Sequence, residues 1–142
     1  MHLTQFTDYS LRVLIYLGLH QDRMVSICEI SEAYDISRNH LLKVVHHLSK
    51  AGVIDGVRGR GGGLQLARKP EEIKLGQVVR LTEPDLNLVE CFWEADNTCP
   101  IASSCRLKRV LADGVKAFLN ELDKYSIAEL ILNQRQLTKL LA

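Results

Sequence analysis

No run in this sequence approaches the roughly 18 consecutive apolar residues that a membrane span requires, and no low-complexity tract suggests disorder. The opening MHLTQFTDYS lacks the basic start and small-residue cleavage site of a secretory signal, so a cytoplasmic chain is expected. Net charge is almost absent, +1 at pH 7. Cysteine is scarce too, with four in the chain, and in a reducing compartment clustered thiols serve as metal ligands or reactive groups more often than as disulfide staples. No histidine falls between residues 48 and 142, which leaves the later cysteines without a nearby base and argues against a cysteine-dependent enzyme. What is present is ordinary globular composition, 46% hydrophobic and 25% charged over 142 residues, suited to about one domain with room for a small second module.

The near-zero total charge hides a local excess. Between Arg38 and Lys69 stand seven basic residues (Arg38, Lys43, Lys50, Arg58, Arg60, Arg68, Lys69) against the single acid Asp55, a balance of +6, joined by His40, His46 and His47. A basic footprint confined to one segment fits a single binding face for nucleic acid.

Periodicity supplies the frame. TDYSLRVLIYLGLHQ places Leu11, Leu14, Ile15, Gly18 and Leu19 on one helical stripe, widened by Val13 and Leu17, which predicts a central helix. Ser26-Ile27-Cys28-Glu29 is a capping box that opens a short helix to about Tyr34. After a break at Asp35-Ile36, Ser37 caps a third helix with Leu41, Val44, Val45 and Leu48 inward and Asn39, Lys43, His46, His47 and Lys50 outward. Two short helices with a tight break, the second carrying a basic outer face, read as helix-turn-helix. VIDGV and LQLAR, separated by RGRGGG, then predict the two-stranded wing of a winged helix. IKLGQVVRLTE returns as a helix stopped near Pro84, and residues 85–103 show no period. From Ser104 a helix of about 20 residues carries Leu107, Val110, Leu111, Val115, Phe118 and Leu122 on one side, more apolar surface than a small winged domain covers, so a dimer interface is expected. A second capping box, Ser126 to Glu129, starts a last short helix; beyond Asn133 no element is assigned.

Two groups of residues carry chemistry. Ser37, Arg38, Asn39, His40 and Lys43 begin the recognition helix, where Arg suits guanine, Asn suits adenine, and Lys and His hold phosphates. Arg58, Arg60, Gly61 and Gly62 of the wing suit phosphate or minor-groove contact. A phosphate-cradling nucleotide loop is the other reading of RGRGGG, but it needs a helix after the loop and here a strand follows. The second group is Cys91, Cys99 and Cys105, with seven and five residues between them. Neither gap is the two-residue spacing of a zinc ribbon. Longer loops suit an iron–sulfur cluster, and Cys105 opens the long helix at its positive dipole end; the bland reading is chance buried cysteines without a ligand. Cys28, between apolar helix neighbours, reads as a buried structural residue.

Together LTQFTDYSLRVLIYL, ISRNHLLKVVHHLSKAGVIDGVRGRGGGLQLA, CPIASSCRLK and FLNELDKYSIAEL resemble the winged-helix iron–sulfur regulators of the NsrR/IscR type over nearly the whole chain. The first and last of these stretches are similar to the nitric-oxide-sensitive branch. That resemblance implies a mainly α fold: a winged helix-turn-helix over residues 1–84, a cluster-binding loop over 85–104, and a long dimerisation helix and tail over 105–142. It implies a homodimeric repressor that binds a palindromic operator in double-stranded DNA, with one iron–sulfur cluster per subunit, 2Fe-2S or 4Fe-4S, on Cys91, Cys99 and Cys105, and nitric oxide as the signal that releases it by nitrosylating the cluster. Another branch carries a histidine two residues beyond the third cysteine as fourth ligand; Arg106-Leu107-Lys108 follows Cys105 here, and a protonated lysine has no lone pair to offer. In the nitric-oxide-sensitive branch a carboxylate near the amino terminus takes that place, and Asp8 matches it, although a first-turn Asp also suits the helix dipole without any metal. Rival readings are a regulator of iron–sulfur supply, a thiol oxidation switch, and, in a different class, an iron–sulfur electron carrier, which would leave the basic helix and wing without a purpose.

Overall fold

A computed structural model of the chain describes residues 2–142 except Glu94 and Asp96; these two, within the expected cluster-binding loop, and Met1 lie outside the described residues. The Thr4 hydroxyl accepts the Thr7 amide at 3.2 Å and so caps α1 (Gln5–Leu19). This helix packs against elements on several sides, so its buried set, Thr7, Ser10, Val13, Leu14, Tyr16, Leu17, Gly18 and Leu19, is broader than the expected stripe. Leu11 and Ile15, expected at the centre of that stripe, are only half-buried. A pattern apolar on most sides gives no single direction for the rotation of a central helix.

The first capping box forms as expected: the Glu29 amide donates to Ser26 Oγ at 3.2 Å and the Ser26 amide to Glu29 Oε1 at 3.0 Å, opening α2 (Ile27–Tyr34). Asp35 then takes the left-handed conformation, φ 51°, the only non-glycine with positive φ among the described residues. The turn is locked by Ser31, whose carbonyl accepts the Ile36 amide at 3.1 Å and whose hydroxyl donates to the Ile36 carbonyl at 2.6 Å. α3 (Arg38–Lys50) follows, with Leu41, Val44 and Leu48 buried and Val45 half-buried.

β1 (Ile54–Val57) and β2 (Gly63–Leu66) pair antiparallel, Ile54 opposite Leu66 and Val57 opposite Gly63. Leu64 faces the core and Gln65 faces out. Val25, in the connection from α1 to α2, exchanges backbone hydrogen bonds with Leu64 at 3.0 and 2.7 Å and thereby stitches the wing to the helical body.

α4 (Leu75–Thr82) ends where the pre-proline residue Glu83 turns extended. After an irregular stretch comes α5 (Arg106–Leu122), then α6 (Ile127–Leu130), opened by the second capping box, and α7 (Gln134–Leu140), a helix that the sequence pattern does not announce. The carboxy-terminal part folds back on the winged body: Ile127 is fully buried in the shared core, and its amide donates to the Ile73 carbonyl at 3.0 Å. Gly18 on α1 leaves room for this return, since a Cβ there would lie 3.2 Å from Ile127 and 3.3 Å from Ile131. The architecture is the expected mainly α winged helix-turn-helix with a two-stranded wing. Among the described residues, no helix is long and apolar enough to cross a membrane.

Candidate nucleic-acid interface and thiol segment

α3 is positioned from behind. Leu41, Val44 and Leu48 seat it in the core, and Ser37 caps it by accepting the His40 amide at 3.4 Å. This leaves Arg38, Asn39, His40, Lys43, His46 and Lys50 exposed. His47 does not join them. Its Nε2–H donates to the Leu81 carbonyl at 2.9 Å, and its ring meets Phe6 edge-on at 5.4 Å, so the expected outward residue turns inward and ties α3 to α4 and α1. His40 also touches α1, its ring lying 6.1 Å from that of Tyr9 at a 31° tilt. Leu42, an apolar residue amid the polar outer face, is 53% exposed, a placement that its exposed helical neighbours Asn39, Lys43 and His46 signal in the sequence.

In the wing, Arg58, Gly59, Arg60 and Gly61 are exposed and Gly62 half-buried. The Gly62 amide donates to the Gly59 carbonyl at 3.0 Å, closing the loop tip, with Gly59 at φ 102° and Gly61 at φ 79°. A Cβ on Gly62 would sit 2.1 Å from the Val57 carbonyl oxygen, so the tight turn admits only glycine there. Among the described residues, no ion pair neutralises this face. The ion pairs found among the described residues join Arg12 to Asp8, Arg23 to Glu29, Arg80 to Asp123 and Lys124 to Glu121, and none of them involves Arg38, Lys43, Lys50, Arg58 or Arg60. Cations without internal partners are what a phosphate backbone binds.

The thiol residues lie on the irregular stretch before α5. Cys91 sits in a single 3-10 turn, Glu90–Phe92, Cys99 follows outside any regular element, and Cys105 is the N-cap of α5. All three are free and half-buried. Cys28 on α2 is half-buried too, rather than fully buried as expected. The hydrogen bonds described for residues 85–104 close within that stretch: Thr98 donates its amide and its hydroxyl to Glu90 Oε1, each at 2.6 Å, and the Cys99 amide donates to Asn97 Oδ1 at 3.1 Å. Those bonds, the Thr98 hydroxyl first, hold the Glu90 carboxyl below the usual carboxylate range.

Within one chain these thiols are not gathered. Among the described residues no three His, Cys, Asp or Glu side chains converge on a common point. Asp8 lies on the first turn of α1, paired with Arg12 at 2.7 Å. The donor set still fits an iron–sulfur cluster in its chemistry: three free thiols fall within 15 residues, two of them on a stretch, residues 85–104, that exchanges no described hydrogen bond with the winged body and so can rearrange without breaking one to it.

Over residues 3–133 the chain matches the family model Rrf2, described as iron-dependent transcriptional regulator. It is 48% identical over 142 residues to the HTH-type transcriptional regulator NsrR of Bacillus subtilis, covering 99% of this chain and 97% of that protein. It is 47% identical over 142 residues to the HTH-type transcriptional regulator NsrR of Shouchella clausii, covering 99% of this chain and 95% of that protein. Among solved structures, T. potens IscR superposes with a TM-score of 0.74 at 25% identity, covering 94% of this chain and 88% of the other. The oxidised form of Staphylococcus aureus CymR gives 0.74 at 27% identity, covering 93% and 97%.

Proposed function

Since the chain belongs to the Rrf2 family of iron-dependent transcriptional regulators, we propose that it is a nitric-oxide-responsive repressor that binds a palindromic operator as a homodimer. That it is a transcription regulator on a winged-helix fold, and not an enzyme, follows from its relatives. The observation that carries the finer reading is the presence, in one chain, of a recognition helix and wing whose cations have no ion-pair partner among the described residues, together with three thiols, two of them on a stretch whose described hydrogen bonds are all its own. Likeness to proteins named NsrR supports nitric oxide over iron–sulfur supply as the signal.

Cys91, Cys99, Cys105 and Asp8 would hold the cluster, of which there is one per subunit; when bound, it supplies the iron with which nitric oxide reacts. The chain's own residues provide the coupling. Asp8 stands on the same turn of α1 as Phe6 and Tyr9, and those two rings meet His47 and His40 of the recognition helix. A carboxylate engaged elsewhere releases Arg12, whose guanidinium lies 5.9 Å from the Tyr9 ring and 5.8 Å from that of Tyr34. The state of Asp8 is thereby felt where α1 braces the DNA-reading helix. A hundredfold change in operator affinity requires a difference of about 2.7 kcal/mol between the two states, within reach of rearranging a few such contacts.

Anaerobic purification with iron and sulfide analysis, followed by DNA binding before and after stoichiometric nitric oxide, tests this reading. Coloured protein that loses operator affinity on nitrosylation is expected. Colourless, iron-free protein with undiminished affinity would refute it. Replacing Asp8 with Ala tests the fourth ligand alone: the cluster should be lost faster, and unchanged cluster lifetime would remove Asp8 from the ligand set.

A further inference from the structure

Leu42 is an apolar side chain at the centre of a polar face. It is 53% exposed and lies outside the core cluster and the hydrophobics packed against it. Asn39 precedes it by three residues and His46 follows by four, so these two are its neighbours along the helix surface, with Lys43 beside it; all three are exposed. Isolated surface leucines are ordinary, but this one stands five residues into the recognition helix, in the part that enters the major groove and touches base edges. Whatever faces it there loses water.

Chemistry then limits the partner. The major-groove edges of guanine, cytosine and adenine are dominated by hydrogen-bonding groups, which leucine cannot satisfy, with only a bare C5–H on cytosine; the one methyl group on any base edge is the C5-methyl of thymine. We propose that Leu42 reads a thymine methyl in each half-site, acting as a specificity-determining residue beside the polar contacts of Arg38 and Asn39. The inference rests on the DNA-binding reading and deepens it. Burying one methyl is worth about a fourfold change in affinity.

The test uses the full-length chain and a duplex selected by it from a randomised pool. Each thymine is replaced singly by deoxyuracil, which removes the methyl and leaves the hydrogen-bonding edge intact. Wild-type protein should bind about fourfold more weakly when one particular thymine per half-site is replaced, and equally well for the others. Leu42→Ala should bind the parent duplex more weakly and be indifferent to that replacement, while Leu42→Met, still apolar, should retain the sensitivity. The inference fails if Leu42→Ala keeps the same deoxyuracil penalty, or if no thymine is sensitive while sequence-specific binding persists. Absence of any sequence-specific binding would overturn the DNA-binding reading as well.

Discussion

His47 joins three helices through one ring: it belongs to α3, donates to the Leu81 carbonyl of α4 at 2.9 Å and meets Phe6 of α1. His46, next in sequence, is exposed. Adjacent helical residues point about 100° apart, so a basic pair at the rim of an apolar stripe does not declare which member turns inward. The neighbours that decide it, Phe6 and Leu81, lie about 40 residues before and 34 after. Removing an inward hydrogen-bonding ring costs more than removing a solvated one. His47→Ala should lower unfolding stability by about 1–3 kcal/mol, whereas His46→Ala should stay within about 0.5 kcal/mol of the parent. Urea titrations of the two variants distinguish them, and equal effects would mean that the His47 contacts contribute nothing.

The α2 capping box belongs to the element scale, because its function is to start a helix that only eight residues sustain. Hydrogen bonds from Ser26, its backbone amide foremost, together with Arg23 at 2.7 Å, hold the Glu29 carboxyl below its usual range. A carboxyl depressed in the folded state contributes stability that is fully present above its unfolded pKa and is lost as pH falls through the folded value. Glu29→Gln should therefore flatten the decline of stability on acidification below the ordinary carboxylate pKa, measured as unfolding free energy against pH; an acid limb identical to the parent's would count against the assignment. Ser26→Ala should cost about 1 kcal/mol at neutral pH. Elements of this kind were legible in the sequence because their signals are local: Ser-x-x-Glu lies within one turn, and the wing's alternation and glycines lie within 15 residues. The carboxy-terminal α7 was not legible. It lacks a side-chain cap, and its place depends on distant contacts such as Gln134 Nε2 donating to the Leu19 carbonyl at 3.3 Å. The thiol stretch was legible as three spaced cysteines, but a gathered site was not, since within one chain the described residues do not bring the donors together.

At the scale of the whole molecule, a single chain leaves much of the apolar side of α5 uncovered. Leu119 is its only buried residue, while Leu107 is 62% and Val110 64% exposed. Val115 and Phe118 line an open groove of about 800 Å³ with residues 2–4 and 83–88. A helix with this much exposed apolar surface favours association, and a net charge of +1 sets up little repulsion between two copies. Pairing through α5 would also fix the separation of two recognition helices, which an operator with two half-sites requires. Replacing Leu107 and Val110 together by Glu places two charges on that surface without touching the core of the winged domain. Sedimentation should then show a monomer where the parent is a dimer. Affinity for a duplex with two half-sites should fall by roughly a hundredfold or more, because linked binding of two reading heads is lost, while affinity for a single half-site stays unchanged. If the variant still sediments as a dimer with full operator affinity, α5 is not the surface that joins the subunits. If it becomes monomeric yet binds the two-site operator as tightly as before, the two heads are not coupled through this helix.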